Sequence, residues 1–251
     1  MKSFALLAFV AVAGVSIRCW CYAPLVYGEW SLQTLYVSLL DAWHGSSTDE
    51  KAYALWIDDD STEGVYHVRR IADAAGIKPC FAVVADGMTV QVSDSLAAWQ
   101  RQGRADIVLH GLRHERWNGW SDAQITLDIR QSRERLHQQG FDTASIMHII
   151  APPHGSNTRT IRKVISQHGC QMITGASLVN PDRHVFQLGR IAITPHTDTT
   201  AMRRLLERAF CRRAFVIFAT HSSIPGSFSD EKTLKVLTMA KEIGFNFHLN
   251  E

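Results

Sequence analysis

Two carboxylates side by side at the end of one apolar run, and two imidazoles four residues apart at the end of another, are the groups in this sequence best equipped for chemistry. The carboxylates are Asp58 and Asp59, in Leu55-Trp56-Ile57-Asp58-Asp59-Asp60-Ser61, where the run from Ala52 to Ile57 has the character of a buried strand. Three adjacent acids repel one another, so a packed domain must set a metal, an arginine, a helix N-terminus or solvent beside them. Taken alone, the stretch fits a plainer description better: a strand running into a solvated turn, with Asp60 or Ser61 capping the next helix. The imidazoles are His110 and His114, starting where the apolar Ile107-Val108-Leu109 ends. Two histidines and a carboxylate with an open position suit a catalytic zinc or a similar divalent ion. Zinc lowers the pKa of its water to about 7, so amide or ester hydrolysis proceeds near neutral pH. A second, unliganded carboxylate would act as base toward that water, and a separate histidine would protonate the leaving group.

What must position these groups is an alternation of strands and helices. The pattern predicts strands ending at Asp58, over Cys80 to Val84, over Asp106 to Leu109 and over Ile146 to Ile150. Further strands are expected over Cys170 to Ile173, Leu188 to Ile193 and Ala214 to Phe218, with Phe245 to Leu249 closing the set. Helices are expected between them: Glu63 to Ala75 stopped by Gly76, Ser93 to Gln102, one capped by Ser121-Asp122, Asn157 to His168, Asp198 to Phe210 and Lys232 to Ile243. Such alternation is the mark of an α/β fold with a mostly parallel sheet, and seven to eight strands favour a single-domain (β/α) barrel over an open sheet. In that architecture chemistry gathers at the carboxyl ends of the strands, where Asp58-Asp59, His110, Pro152-Pro153 and His221 all fall.

Taken together, Leu55-Trp56-Ile57-Asp58-Asp59, His110-x-x-x-His114, Pro152-Pro153-His154-Gly155 and Ala219-Thr220-His221 resemble, in order and spacing, the motifs of polysaccharide deacetylases (carbohydrate esterase family 4). The resemblance covers roughly residues 52 to 223. It implies a distorted (β/α) barrel that uses a divalent metal, zinc by the ligand types, to hydrolyse N- or O-acetyl groups on an acetylated glycan. By motif, Asp58 is similar to the catalytic base, Asp59, His110 and His114 to the metal ligands, and His221 to the general acid. Pro152, Pro153 and His154 are similar to part of the substrate groove. Three departures stand out. Trp56, Ile57 and Asp60 replace residues of the usual Thr-Phe-Asp-Asp-Gly, and Ala151 stands where an arginine usually orients the base, leaving Arg113, Arg159 or Arg190 to substitute. The usual Asp-with-Trp motif is not recognisable between Gly175 and Arg190, where Asp182 is the available acid. Trp117 and Trp120 follow the histidine pair in a loop, equally suited to stacking on a sugar and to packing on the barrel rim.

The remaining features bound the setting. Met1-Lys2-Ser3, the apolar run Phe4 to Val15 and Cys21-Tyr22-Ala23 have the form of a secretory signal peptide over residues 1–23, and the run is too short to span a bilayer. Secretion or a periplasmic location is therefore expected, with no membrane span after cleavage. Residues 24–50 read as a peripheral helix, Ser31 to Trp43, and a polar linker, and residues 51–251 as the barrel. The net charge of +2 and the absence of a basic run give no sign of a nucleic-acid partner. Cys80, Cys170 and Cys211 are far apart and odd in number, so they form no disulfide framework. No G-x-S-x-G elbow supports Ser222 or Ser223 as a nucleophile. Two rivals to the deacetylase remain: a non-catalytic metal-containing barrel that binds glycan or protein, favoured by Ala151, and a hydrolase of a non-sugar amide.

Overall fold

A run of six residues without one exposed side chain, Tyr53–Asp58 (β1), lies in the middle of the sheet, as its uninterrupted apolar sequence requires. A computed structural model describes residues 49–59 and 62–249. The signal peptide, the peripheral helix and Asp60 fall outside the described residues. From β1 the chain continues as α1 (Gly64–Ala75), β2 (Cys80–Val83), α2 (Val90–Arg101), β3 (Asp106–Leu109), α3 (Asp122–Gln138) and β4 (Ile149–Ile150). A 3-10 turn at Pro153–Gly155 leads to α4 (Arg159–Gln167), β5 (Gln171–Ile173), β6 (Gln187–Leu188), β7 (Ile191–Ala192), α5 (Thr199–Cys211), β8 (Phe215–Thr220) and α6 (Asp230–Ile243).

All eight strands run parallel in the order β6-β5-β4-β3-β2-β1-β8-β7, a single curled sheet with helices outside it. The expected distorted barrel is what forms. Its interior is filled by Leu55, Ile57, Cys80, Ala82, Val108, Ile149, Ala151, Ile173, Leu188, Phe215, Ile217 and Ala219. On β1 and β8 these alternate with residues of the opposite face, as a period of two demands. Helices α1 and α5 each pack on α6, and α3 packs on α4. At the amino end of β1 the Arg183 guanidinium lies 4.3 Å over the Tyr53 ring and bonds Asp49 at 3.1 Å and the Leu249 carbonyl at 2.7 Å. This closes one end of the barrel and leaves the chemistry to the other.

Helix boundaries follow the capping residues. Thr89 caps α2, which therefore begins three residues before the expected Ser93. Ser121 and Gln124 form a reciprocal capping box at α3, and its buried face includes the expected Ile125, Ile129, Ser132 and Leu136. Two expectations are corrected. Phe245 to Leu249 is no strand; it makes an isolated bridge, Tyr53 with Asn246. Leu188 to Ile193 is not one strand but two, belonging to opposite edges of the sheet: β6 pairs with β5 and β7 with β8. Gly189 and Arg190 alone separate them, so the chain itself, rather than a hydrogen-bond ladder, bridges the barrel seam.

The seam is held by Asn180, which is fully buried. Its amide donates to the carbonyls of Gly189 at 3.0 Å and Phe215 at 3.3 Å, and its oxygen accepts from the Gly189 N–H at 2.7 Å. Arg190 N–H donates to the Ala176 carbonyl at 2.9 Å. Backbone groups that the sheet leaves without ladder partners are thus satisfied locally.

Candidate active site at the carboxyl end of the barrel

Four of the strands that contribute interior residues carry, two positions further on, a polar residue at the open end. Ile57 leads to Asp59, Val108 to His110, Ala219 to His221 and Leu188 to Arg190. Ile149 leads to Ala151, whose methyl belongs to the interior cluster. Around the sheet order this sets the seam arginine, His221 and Asp59 next to one another, with His110 two strands beyond β1.

The contacts follow. Arg190 Nη1 donates to Asp59 Oδ2, and His221 Nε2 lies 3.2 Å from the same oxygen. The Asp59 side chain is 4% exposed, and its Oδ1 is buried without a hydrogen-bond partner among the described residues. Burial pushes the Asp59 carboxyl up, but the Arg190 guanidinium and the His221 hydrogen bond outweigh it and hold the group well below the usual carboxylate range. It is an anion at any working pH. Since that carboxylate can only accept, His221 Nε2 carries the proton, leaving Nδ1 as the nitrogen that can exchange one.

On the other side of β1, His110 Nδ1 lies 2.6 Å from the Ala151 carbonyl oxygen, so Nδ1 is protonated and Nε2 carries the lone pair, which accepts from His114 Nε2–H. That Nε2 faces His114 Nε2 at 3.0 Å. Burial pushes His110 down, and partial burial with the neighbouring His110 ring holds His114 at about 4, so both are neutral in neutral solution. The His114 ring also stacks on His154, with centroids 4.3 Å apart, and His154 Nε2 donates to the His114 carbonyl at 3.0 Å.

Asp58 has the opposite strand parity and a different set of neighbours. It is fully buried and accepts hydrogen bonds from Thr220 Oγ1, from Ser222 N at 3.2 Å and from Ser222 Oγ at 2.8 Å. Thr220 Oγ1 in turn accepts from Trp56 Nε1 at 2.9 Å. The structure therefore brings Asp59, His110, His114 and His221 to one mouth, and sets Asp58 in the β1–β8 junction behind it. Sequence reasoning left Ser222 without a role, and its role as a donor to Asp58 becomes visible once β1 and β8 are known to pair. Arg190 was one of three arginines named in place of Ala151. Of the other two, Arg113 pairs with Asp86 at 3.3 Å and Arg159 is exposed.

The groove residues divide by burial. Pro152 and Pro153 are buried, and Pro153 packs on Gly111, so they shape the loop and do not present a surface to a sugar. His154 is exposed and Trp120 half-buried. Trp117 is fully buried, which covers the ring faces a sugar would use, so of the two expectations it packs inward and is not placed to bind substrate. Gly111 is required as glycine: its φ is +83°, and an added Cβ would lie 2.8 Å from Pro153 Cγ. Gly111→Ala is expected to lower stability by about 2 kcal/mol, measured by denaturant unfolding. An unchanged midpoint would show that the Pro153 loop yields freely.

The polysaccharide deacetylase family model matches residues 45–173 of the 251. This chain belongs to the polysaccharide deacetylase family. No curated protein matches it by sequence. As a deacetylase-family chain it shares its fold with the chitin deacetylase of the fungal pathogen Colletotrichum lindemuthianum (TM-score 0.56, 14% identity, 80% of this chain and 85% of that one covered). A family 4 acetyl xylan esterase from Clostridium thermocellum, in complex with a cobalt ion, is similar at TM-score 0.54 and 14% identity over 77% of this chain and 85% of that one. A CE4 family pseudoenzyme from Bacillus anthracis is similar at TM-score 0.51 and 15% identity over 78% of this chain and 63% of that one.

The donor types fit the divalent ion that the family's motifs imply: two neutral imidazoles with converging Nε2 atoms, and a buried carboxylate oxygen, Asp59 Oδ1, without a partner. As they stand they do not close on one point, because among the described residues no three His, Cys, Asp or Glu side chains gather tightly enough to enclose an ion. Asp59 leans instead on Arg190 and His221.

Proposed function

We propose that this chain is a carbohydrate deacetylase, secreted or periplasmic, that hydrolyses N- or O-acetyl groups on a glycan. The observation that carries the reading is the meeting of Asp59 and His221 across the β1–β8 pair at the mouth of a polysaccharide deacetylase barrel. In this reading the acetyl carbonyl lies over the mouth, and His221 Nδ1 takes a proton from the attacking water as the new C–O bond forms. The same nitrogen returns the proton to the sugar nitrogen or oxygen as its bond to the acyl carbon breaks, giving acetate and a free amine or hydroxyl. Asp59 holds the His221 ring by Nε2–H, and Arg190 pairs with Asp59 while no ion is bound. His110, His114 and Asp59 are the residues that would hold a divalent ion, zinc by ligand type; when bound, it supplies electrophilic assistance to the carbonyl. Asp58, the base by motif, is assigned to shaping the β1–β8 junction, in keeping with the donors that enclose it. The exposed His154 and the half-buried Trp120 are the groups placed to meet the glycan.

Substrate chemistry is suggested by relatives of the same fold, one a chitin deacetylase and one an acetyl xylan esterase. The experiment is acetate release from chitin oligomers, peptidoglycan and acetylated xylan by wild type and Asp58→Asn, with melting curves for both. Release by wild type, and by Asp58→Asn in proportion to its folded fraction, is the expected result. A folded Asp58→Asn that is inert would return the role of base to Asp58. No release from any substrate by folded wild type would favour the non-catalytic barrel, for which Ala151 and the fold shared with a pseudoenzyme speak.

A further inference from the structure

Ala151 stands where the motif pattern has an arginine. In this chain a guanidinium is present elsewhere, on the bridge between the sheet edges, and it is committed to Asp59. Its backbone is pinned: Arg190 N–H bonds Ala176 O at 2.9 Å, Gly189 before it is held through both its N–H and its carbonyl by Asn180, and Ile191 after it pairs with Phe218. The arginine cannot withdraw by a simple loop movement. Its side chain is 18% exposed and its partner 4%, so the pair sits where charge interactions are weakly screened. An ion using Asp59 together with His110 and His114 would bring two positive charges close to this fixed one.

We propose that Arg190 is a resident counter-cation for Asp59 that sets the site's affinity for divalent ions, making ion binding weak until the Arg190–Asp59 pair opens. This rests on the reading that Asp59, His110 and His114 are the ion-binding set. The seam arginine is then a positioning residue that acts through Asp59, exchanging with the ion rather than assisting it.

The test is zinc binding to metal-stripped wild type and Arg190→Gln by calorimetry, with melting curves to establish folding. The glutamine variant, which lacks the competing charge, is expected to bind zinc at least about tenfold more tightly than wild type. His110→Ala should abolish binding in both backgrounds. Equal or weaker binding by a folded Arg190→Gln would overturn the proposal. Should that variant fail to fold, the wild type still decides: zinc saturation should shift the Arg190 Nε–H resonance as the guanidinium leaves Asp59, and an unmoved resonance would refute the exchange. Acetate release is scored separately. A protein that shows the affinity change but releases no acetate would sustain this inference while sinking the deacetylase reading.

Discussion

His221→Ala is expected to reduce acetate release by about 10²–10⁴-fold, the usual worth of a positioned proton-transfer group, while leaving the melting temperature nearly unchanged. The two halves of that expectation have separate grounds. Activity falls because, in the proposed mechanism, His221 Nδ1 exchanges the proton while Nε2 is tied to Asp59 at 3.2 Å. Stability holds because the His221 side chain is 33% exposed, and Asp59 keeps its pairing with Arg190 when the imidazole is gone. Assays under saturating and limiting substrate would place the loss in kcat, with KM little altered. A variant that retains more than about a tenth of wild-type release would remove His221 from the chemistry.

The second large effect is on the fold. Asn180→Ala should destabilise the protein by about 3 kcal/mol, lowering the melting temperature by roughly 10 °C. The methyl of alanine fills little of the space and makes none of the bonds. The Gly189 N–H and carbonyl, both buried, lose their Asn180 partners, and such orphaned groups each cost about 1–3 kcal/mol. The Phe215 carbonyl is spared, because it also accepts from the Asn180 backbone N–H at 2.9 Å. With Gly189 loosened, Arg190 loses its fixed origin, so release of acetate per folded molecule should fall as well. A melting temperature within about 2 °C of wild type would show that the seam does not depend on this amide.

Much of this arrangement was legible in the residues, and the parts that were not have physical reasons. Asp106 to Leu109 reads as a strand because an apolar run bounded by polar residues has few alternatives, and it forms as expected. Leu188 to Ile193 reads as one strand because apolar pattern carries no record of which neighbour each residue pairs with. Two strands of two residues each, facing different edges, look the same as one of six. Asp58 and Asp59 are chemically equivalent in the sequence. Only the pairing of β1 with β8, Ile57 beside Ala219 and Asp58 beside Thr220, decides which of them meets His221. Asn180 gave no signal at all: a lone asparagine before Pro181 is ordinary turn composition, and its three side-chain bonds reach residues 9 and 35 positions away. Trp117 is fully buried, but nothing local in the sequence distinguishes inward packing from display to solvent.

The pairing of β1 with β8 has a temporal consequence. Asp58 and Thr220 hydrogen-bond across 162 positions of sequence, and the strand that completes the middle of the sheet is the last one made. During synthesis β1 through β6 can associate in order, each with its predecessor, but β1 keeps an open edge until Phe215–Thr220 leaves the ribosome. Asp59 meets His221 only at that moment. A nascent or truncated chain therefore lacks the Asp59–His221 pair, and it exposes the fully buried strand β1 as an adhesive edge. The Asp59–His221 pair and protection from aggregation arrive together, in one late step, because the same two strands provide both.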